Sequence, residues 1–99
     1  MLKYKVTRER HSTPIFEFED KSYALLSEFL LAEGRNFGTE ITAFLTQCIL
    51  TGQTAEFAGN VFRIKASEGQ ARIINEITDK ECLVPLKELK TIVEEYISS

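Results

Sequence analysis

Three side chains are the natural starting points for covalent, redox or metal chemistry: Cys48, Cys82 and the single histidine, His11. The cysteines do not form a C-x-x-C pair, and one histidine is too few for a common zinc site. Both cysteines fall at apolar positions of their segments, where a thiol serves as a small buried hydrophobe. A redox or nucleophilic role is the alternative. His11 can titrate near neutral pH, but it lies in a polar loop with no evident partner, and a solvated loop histidine is the simpler reading. Serine-nucleophile, phosphate-loop, zinc-protease and calcium-loop patterns are absent. EGRNFG and EFAGN contain glycine but lack the second and third glycines of a dinucleotide loop. The expectation is a protein that is not an enzyme and uses no cofactor or metal.

The acids sort by their surroundings. Glu17 and Glu19 have cross-strand lysines, and Glu28 and Glu33 read as solvated helix positions. Glu94 and Glu95 differ. They sit in the last turns of the final helix, at the negative end of its dipole, with no later base to offset them. Lys90 is only a partial answer, in the less favourable order. A local rule broken without visible gain marks a candidate contact.

The elements that must position these residues follow from periodicity. LKYKVTR (2–8) and PIFEFE (14–19) alternate as strands. Pairing Arg8 with Pro14 sets Val6 against Phe16, Tyr4 against Phe18, Lys5 against Glu17 and Lys3 against Glu19, so one register satisfies apolar and charged pairs together. Asp20 or Ser22 caps a predicted helix over 22–33 that Gly34 stops. Residues 35–38 form a connection, Thr39 caps a second helix over 40–51, and Gly52 ends it; the two are expected to pack as a helical hairpin. EFAGNVFRIKASEGQARIINEI (56–77) alternates on both sides of Glu68-Gly69. A two-residue turn there sets Ala66 against Ala71, Ile64 against Ile73 and Phe62 against Asn75. A one-residue bulge at Gly59-Asn60 would bring both Phe57 and Phe62 to the core. A strand over 81–84 returns through Asp79-Lys80, with Ile77 facing Cys82 and Asn75 facing Val84. Pro85 opens a last amphipathic helix, with Leu86, Leu89, Val93, Tyr96 and Ile97 at helical spacing. The order ββ-αα-βββ-α, with short strand links, gives one α+β domain over residues 1–99: a mostly antiparallel sheet with helices packed on one face.

That register leaves Val61, Arg63, Lys65, Arg72, Ile74, Glu76 and Leu83 on the side away from the main apolar face. Lys65 opposes Arg72, a like-charge pair that costs stability unless a carboxylate stands near. Ile74 and Leu83 are neighbours in this ring of charge. Arg63, Lys65, Arg72, Ile74, Glu76 and Leu83, with Glu94 and Glu95 on the last helix, are the candidate partner-binding residues; cover by a helix or by the first hairpin is the alternative for the sheet face.

The 99-residue chain has 15 acidic and 12 basic side chains, so its formal net charge is −3. That balance argues against nonspecific nucleic-acid binding and permits a basic partner. A nucleic-acid or regulatory domain using Lys3, Lys5, Arg8 and Arg10, extended by Arg63, Lys65 and Arg72, is the second reading. No apolar run is long enough to span a bilayer, and the charged N-terminus does not read as a signal peptide, so a cytoplasmic protein without a membrane partner is expected.

EFAGNVFRI, then INEI, then CLVPLKELKTIVEEY, roughly residues 53–97, resemble small bacterial immunity proteins of polymorphic and contact-dependent growth-inhibition toxin systems. The resemblance lies in an F-x-G-N strand, a C-x-[IV]-P strand-to-helix junction and an amphipathic terminal helix. It carries no family site residue onto this chain. It implies a noncatalytic inhibitor that binds and neutralises one cognate toxin domain, with a nuclease the first expectation. The chain would act as a monomer in a one-to-one complex, or as a homodimer.

Overall fold

The computed structural model describes residues 2–8 and 13–98; His11 and Arg10 lie outside the described residues. The fold is α+β in the expected order. Strands β1 (Tyr4–Thr7) and β2 (Ile15–Phe18) form an antiparallel hairpin. Helical segments α1 (Ala24–Phe29) and α2 (Arg35–Thr51) follow. Strands β3 (Ala55–Ala58), β4 (Phe62–Ser67), β5 (Gln70–Asn75) and β6 (Glu81–Pro85) form a four-stranded antiparallel sheet in sequential order, and α3 (Leu86–Ser98) ends the chain. The inward residues of the sheet, Phe62, Ile64, Ala66, Ala71, Ile73, Cys82 and Val84, are buried with Leu26, Phe29, Ile41, Leu45, Leu89 and Val93 of the helices in one core. All three helices pack on this face.

The first hairpin has the register that its charge and apolar pairs require: Tyr4–Phe18, Lys5–Glu17 and Val6–Phe16. It packs on the helices through aromatic rings. Tyr4 stacks on Phe16 at 5.2 Å, and Phe16 meets Tyr96 of α3 at 5.6 Å. The β4–β5 hairpin also has the expected register, turning through Glu68 (φ 51°) and Gly69 (φ 77°). Two successive positive φ values match the right-handed twist of the flanking strands.

Four expectations about the fold are corrected. First, Gly34 does not stop a helix. It has φ −62° and ψ −33°, and the chain passes from α1 through a π-helical turn (Leu30–Gly34) straight into α2. No helical hairpin forms, and Thr39 lies inside α2 rather than at its cap. The glycine serves packing instead: a Cβ there would lie 2.8 Å from the Tyr96 ring, and one at Gly38 would lie 2.7 Å from Ile97. Gly52 does end α2 as expected, with φ 69° and its N–H donating to the Cys48 carbonyl at 2.9 Å.

Second, Gly59-Asn60 is a chain reversal, not a bulge. β3 turns back on β4, pairing Ala58 with Arg63 and Phe57 with Ile64. Both phenylalanines still face inward. Phe57 meets Phe37 and Phe44 of α2, and Phe62 meets Phe29 edge-on. Third, β5 pairs with β6 four residues away from the expected register: Ile73 faces Cys82 and Ala71 faces Val84. The Asn75 side chain accepts the N–H groups of Ile77 (2.9 Å) and Thr78 (3.2 Å), turning Glu76–Asp79 into a loop. Asp79 completes it with φ 62°, a conformation that Asp tolerates better than most residues. Ile77 therefore leaves the sheet and is exposed.

Glu33 is the fourth correction and the most consequential. It is not solvated but 1% exposed. The π-helical turn points its carboxylate at the β3–β4 reversal. There it accepts the Asn60 N–H on both oxygens (2.9 and 3.0 Å) and the Val61 N–H at 3.2 Å. A charge can be buried when donors replace its water, and these backbone groups have no ladder partner at the turn. Gly59 leaves the necessary room, since a Cβ there would lie 1.7 Å from a Glu33 oxygen.

Candidate functional surface

Alternation in β3–β6 sends every second side chain away from the helices. The strands therefore collect Glu56, Arg63, Lys65, Arg72, Ile74, Glu81 and Leu83 on one outward face, with Glu76 just beyond the end of β5. No helix covers this face among the described residues. Bases occupy the two central strands and acids the flanks. Lys65 does oppose Arg72, and each has a carboxylate on its other side: Glu56 stands 3.6 Å from Lys65, and Glu81 stands 3.6 Å from Arg72. Arg63 lies between Glu76 (3.3 Å) and Glu56 (3.9 Å). The like-charge pair thus lies in the row Glu56–Lys65–Arg72–Leu83, and Glu81 reaches Arg72 diagonally from the neighbouring row, where it faces Ile74. The ion-paired side chains are one-third to one-half exposed, so each pair contributes only about 0–1 kcal/mol. Their effect is to orient charge rather than to hold the fold.

Apolar area lies beside these charges. Leu83 is 53% exposed and stands opposite Arg72. Ile74, expected to be exposed, is half-buried between Arg63 on β4 and Glu81 on β6. The structure therefore brings Arg63, Lys65, Arg72, Ile74, Glu76 and Leu83 together. Glu56 and Glu81 belong with them and were missed. Glu56 would have emerged from reading Gly59-Asn60 as a turn, because that places it opposite Lys65. Glu81 needed the correct β5–β6 register.

Glu94 and Glu95 are not part of this surface, because α3 lies on the sheet's other face. Glu94 pairs with Lys90 at 3.7 Å. Glu95 accepts the Tyr4 hydroxyl at 2.5 Å, tying the first hairpin to α3. Desolvation, then the Glu95 hydrogen bond and charge, push the Tyr4 hydroxyl up to about 12. Glu88 makes a parallel tie by accepting the Leu2 N–H at 2.9 Å. The acids at the end of α3 thus have structural work, which explains two charges that the helix dipole disfavours.

The two cysteines are buried and free. Burial pushes both thiols up, Cys82 to about 11, so neither has the low-pKa, accessible setting of a reactive thiol. No cluster of three or more His, Cys, Asp or Glu among the described residues could hold a metal ion. No helix among them is long and apolar enough to cross a membrane. No family model, curated protein or solved structure matches the chain.

Proposed function

We propose that this chain is a noncatalytic protein-binding module, and specifically an immunity protein that binds and neutralises a cognate bacterial toxin domain, a nuclease being the first candidate. The observation that carries the binding reading is a sheet face that no helix covers among the described residues and that holds Leu83 and Ile74 among side chains of both charge signs. Exposed apolar side chains bordered by charges of both signs suit a contact with another protein. The toxin assignment rests on the resemblance of residues 53–97. The nucleic-acid reading is disfavoured by the pairing of Arg63, Lys65 and Arg72, each within 4 Å of a glutamate, which leaves little uncompensated charge for a phosphate backbone.

The test is co-purification with the product of the adjacent gene, followed by affinity measurements on Leu83→Asp and Arg72→Glu. Both positions are exposed, so the variants should remain folded while affinity falls about tenfold or more, as for central contacts. Failure of coexpression to rescue cells from the neighbouring toxin would remove the immunity assignment. Unchanged affinity in both variants would remove this face as the contact. Sedimentation of the free chain separates a monomer from a homodimer.

A further inference from the structure

A second feature lies among the helices, away from the open sheet face. A cleft of about 330 Å³ opens between the start of α2, the end of α3 and the segment entering β2, lined by Thr13, Arg35, Asn36, Thr39, Glu40 and Tyr96. Its size is at the lower end of small-molecule sites, about 300–1,000 Å³. Tyr96 is only 5% exposed, and its hydroxyl has no hydrogen-bond partner among the described residues. Buried hydroxyls are nearly always paired, and a phenylalanine would fill the same space without an orphaned polar atom. The ring is held in place by close approach to Gly34.

The charges beside this hydroxyl are also unmatched. Arg35 and Glu40 line the same cleft, yet neither forms an ion pair with the other or with any described residue. Arg35 donates from Nη1 to the Thr13 hydroxyl at 2.8 Å, which leaves most of its five donors available. An arginine and a glutamate that share a cleft without meeting are complementary to a molecule carrying both charges.

We propose that this cleft binds a small zwitterion of the free α-amino acid class, with its carboxylate on Arg35 and the Tyr96 hydroxyl and its ammonium on Glu40. Thr39 and Asn36 supply the remaining polar contacts. The hydroxyl is closed to solvent as the cleft stands, so binding includes a local opening. The site is independent of the sheet-face contact, and either can fail alone.

The test is an NMR titration of the isotope-labelled full chain with glycine and L-alanine, beside acetate and ethylammonium at matched ionic strength. The expected result is saturable shifts confined to residues 35–40 and 96 with the amino acids, and binding weaker by about tenfold or more for either single-charge probe. Arg35→Gln and Glu40→Gln, both at exposed positions, should each weaken amino-acid binding by about tenfold. Tyr96→Phe should weaken binding while leaving the melting temperature of the free protein unchanged or higher; a purely structural hydroxyl would lower it. Shifts that grow without saturation, or acetate binding as tightly as glycine with Glu40→Gln silent, would overturn the proposal.

Discussion

Replacing Glu33 by glutamine tests the join between helix and sheet. The glutamine is nearly isosteric, so packing is preserved and only the acceptor pattern changes. The carboxylate receives the Asn60 N–H on both oxygens and the Val61 N–H on one. An amide keeps one acceptor oxygen and turns a donor toward the second position. With its oxygen in the Oε1 position both backbone N–H groups keep one acceptor, but the amide NH2 then faces the Asn60 N–H across 2.9 Å as a buried donor with no acceptor. A hydrogen bond to a charged group is worth about 1.5–3 kcal/mol, and an orphaned buried donor costs about 1–3 kcal/mol; the two figures overlap, so a net loss of about 2–3 kcal/mol is expected. At about 4–8 °C per kcal/mol for a domain of this size, the melting temperature should fall by about 8–24 °C. Urea unfolding gives the free energy, and amide exchange should accelerate first at Asn60 and Val61. Gly59 supplies the control. In wild type, Gly59→Ala places a Cβ 1.7 Å from a carboxylate oxygen and must displace it. With Glu33→Ala already present, that clash is gone, so Gly59→Ala should cost much less, and the pair should be strongly non-additive. A Glu33→Gln protein within about 0.5 kcal/mol of wild type, or additive effects at the two positions, would refute the clamp.

Gly34→Ala should destabilise by about 1–3 kcal/mol through overpacking against the held Tyr96 ring, while Gly38→Ala should cost less, because its contact is the 44% exposed Ile97 side chain, which can rotate away; thermal melts of the two variants check the order. The Tyr4 hydroxyl sits at about 12 in the fold against an ordinary 10.0, so its protonated form is favoured by folding. That stability is fully present below pH 10 and is lost as pH rises toward 12. Urea midpoints at pH 9 and pH 11.5 should therefore diverge more in wild type than in Tyr4→Phe, and equal divergence would show that the bond to Glu95 contributes nothing. Cys82, raised from 9.0 to about 11, should react with a disulfide reagent at pH 8 about a hundredfold or more slowly than in the urea-unfolded chain; equal rates would show that the thiol is accessible.

The parts of this fold legible in the sequence are those set by local alternation. In β1–β2 one register matched apolar and charged partners at once, in β4–β5 one register matched the apolar partners, and in both a one-residue slip would have reversed every side chain. The parts that were not legible depend on single side chains acting across long sequence separations. Nothing near Glu33 distinguishes it from a solvated helix acid; its donors are Asn60 and Val61. Gly34 carries the composition of a helix stop, but the constraint on it comes from Tyr96. Asn75 occupies an apolar column of β5, yet its side chain closes the next loop and thereby moves β6 by four residues. The outward charged face was readable for Arg63, Lys65 and Arg72, whose strands were correctly paired. It was incomplete at Glu56 and Glu81, whose pairings were not. Glu94 and Glu95 were singled out because a local rule was broken at them. For Glu95, the compensation lies on β1, nearly the whole chain away in sequence.

A sheet covered on one side divides its residues into two populations with different freedom to change. The inward set in β4–β6 is fully or nearly fully buried, and substitutions there incur cavity or overpacking costs of several kcal/mol. Surface substitutions on the outward set generally change stability by only about 0.5 kcal/mol. Under the proposed function, specificity can therefore drift, reverse charge or be rebuilt on the outward columns of β3–β6 while the same scaffold persists beneath them, so selection on a partner contact need not contend with selection on folding.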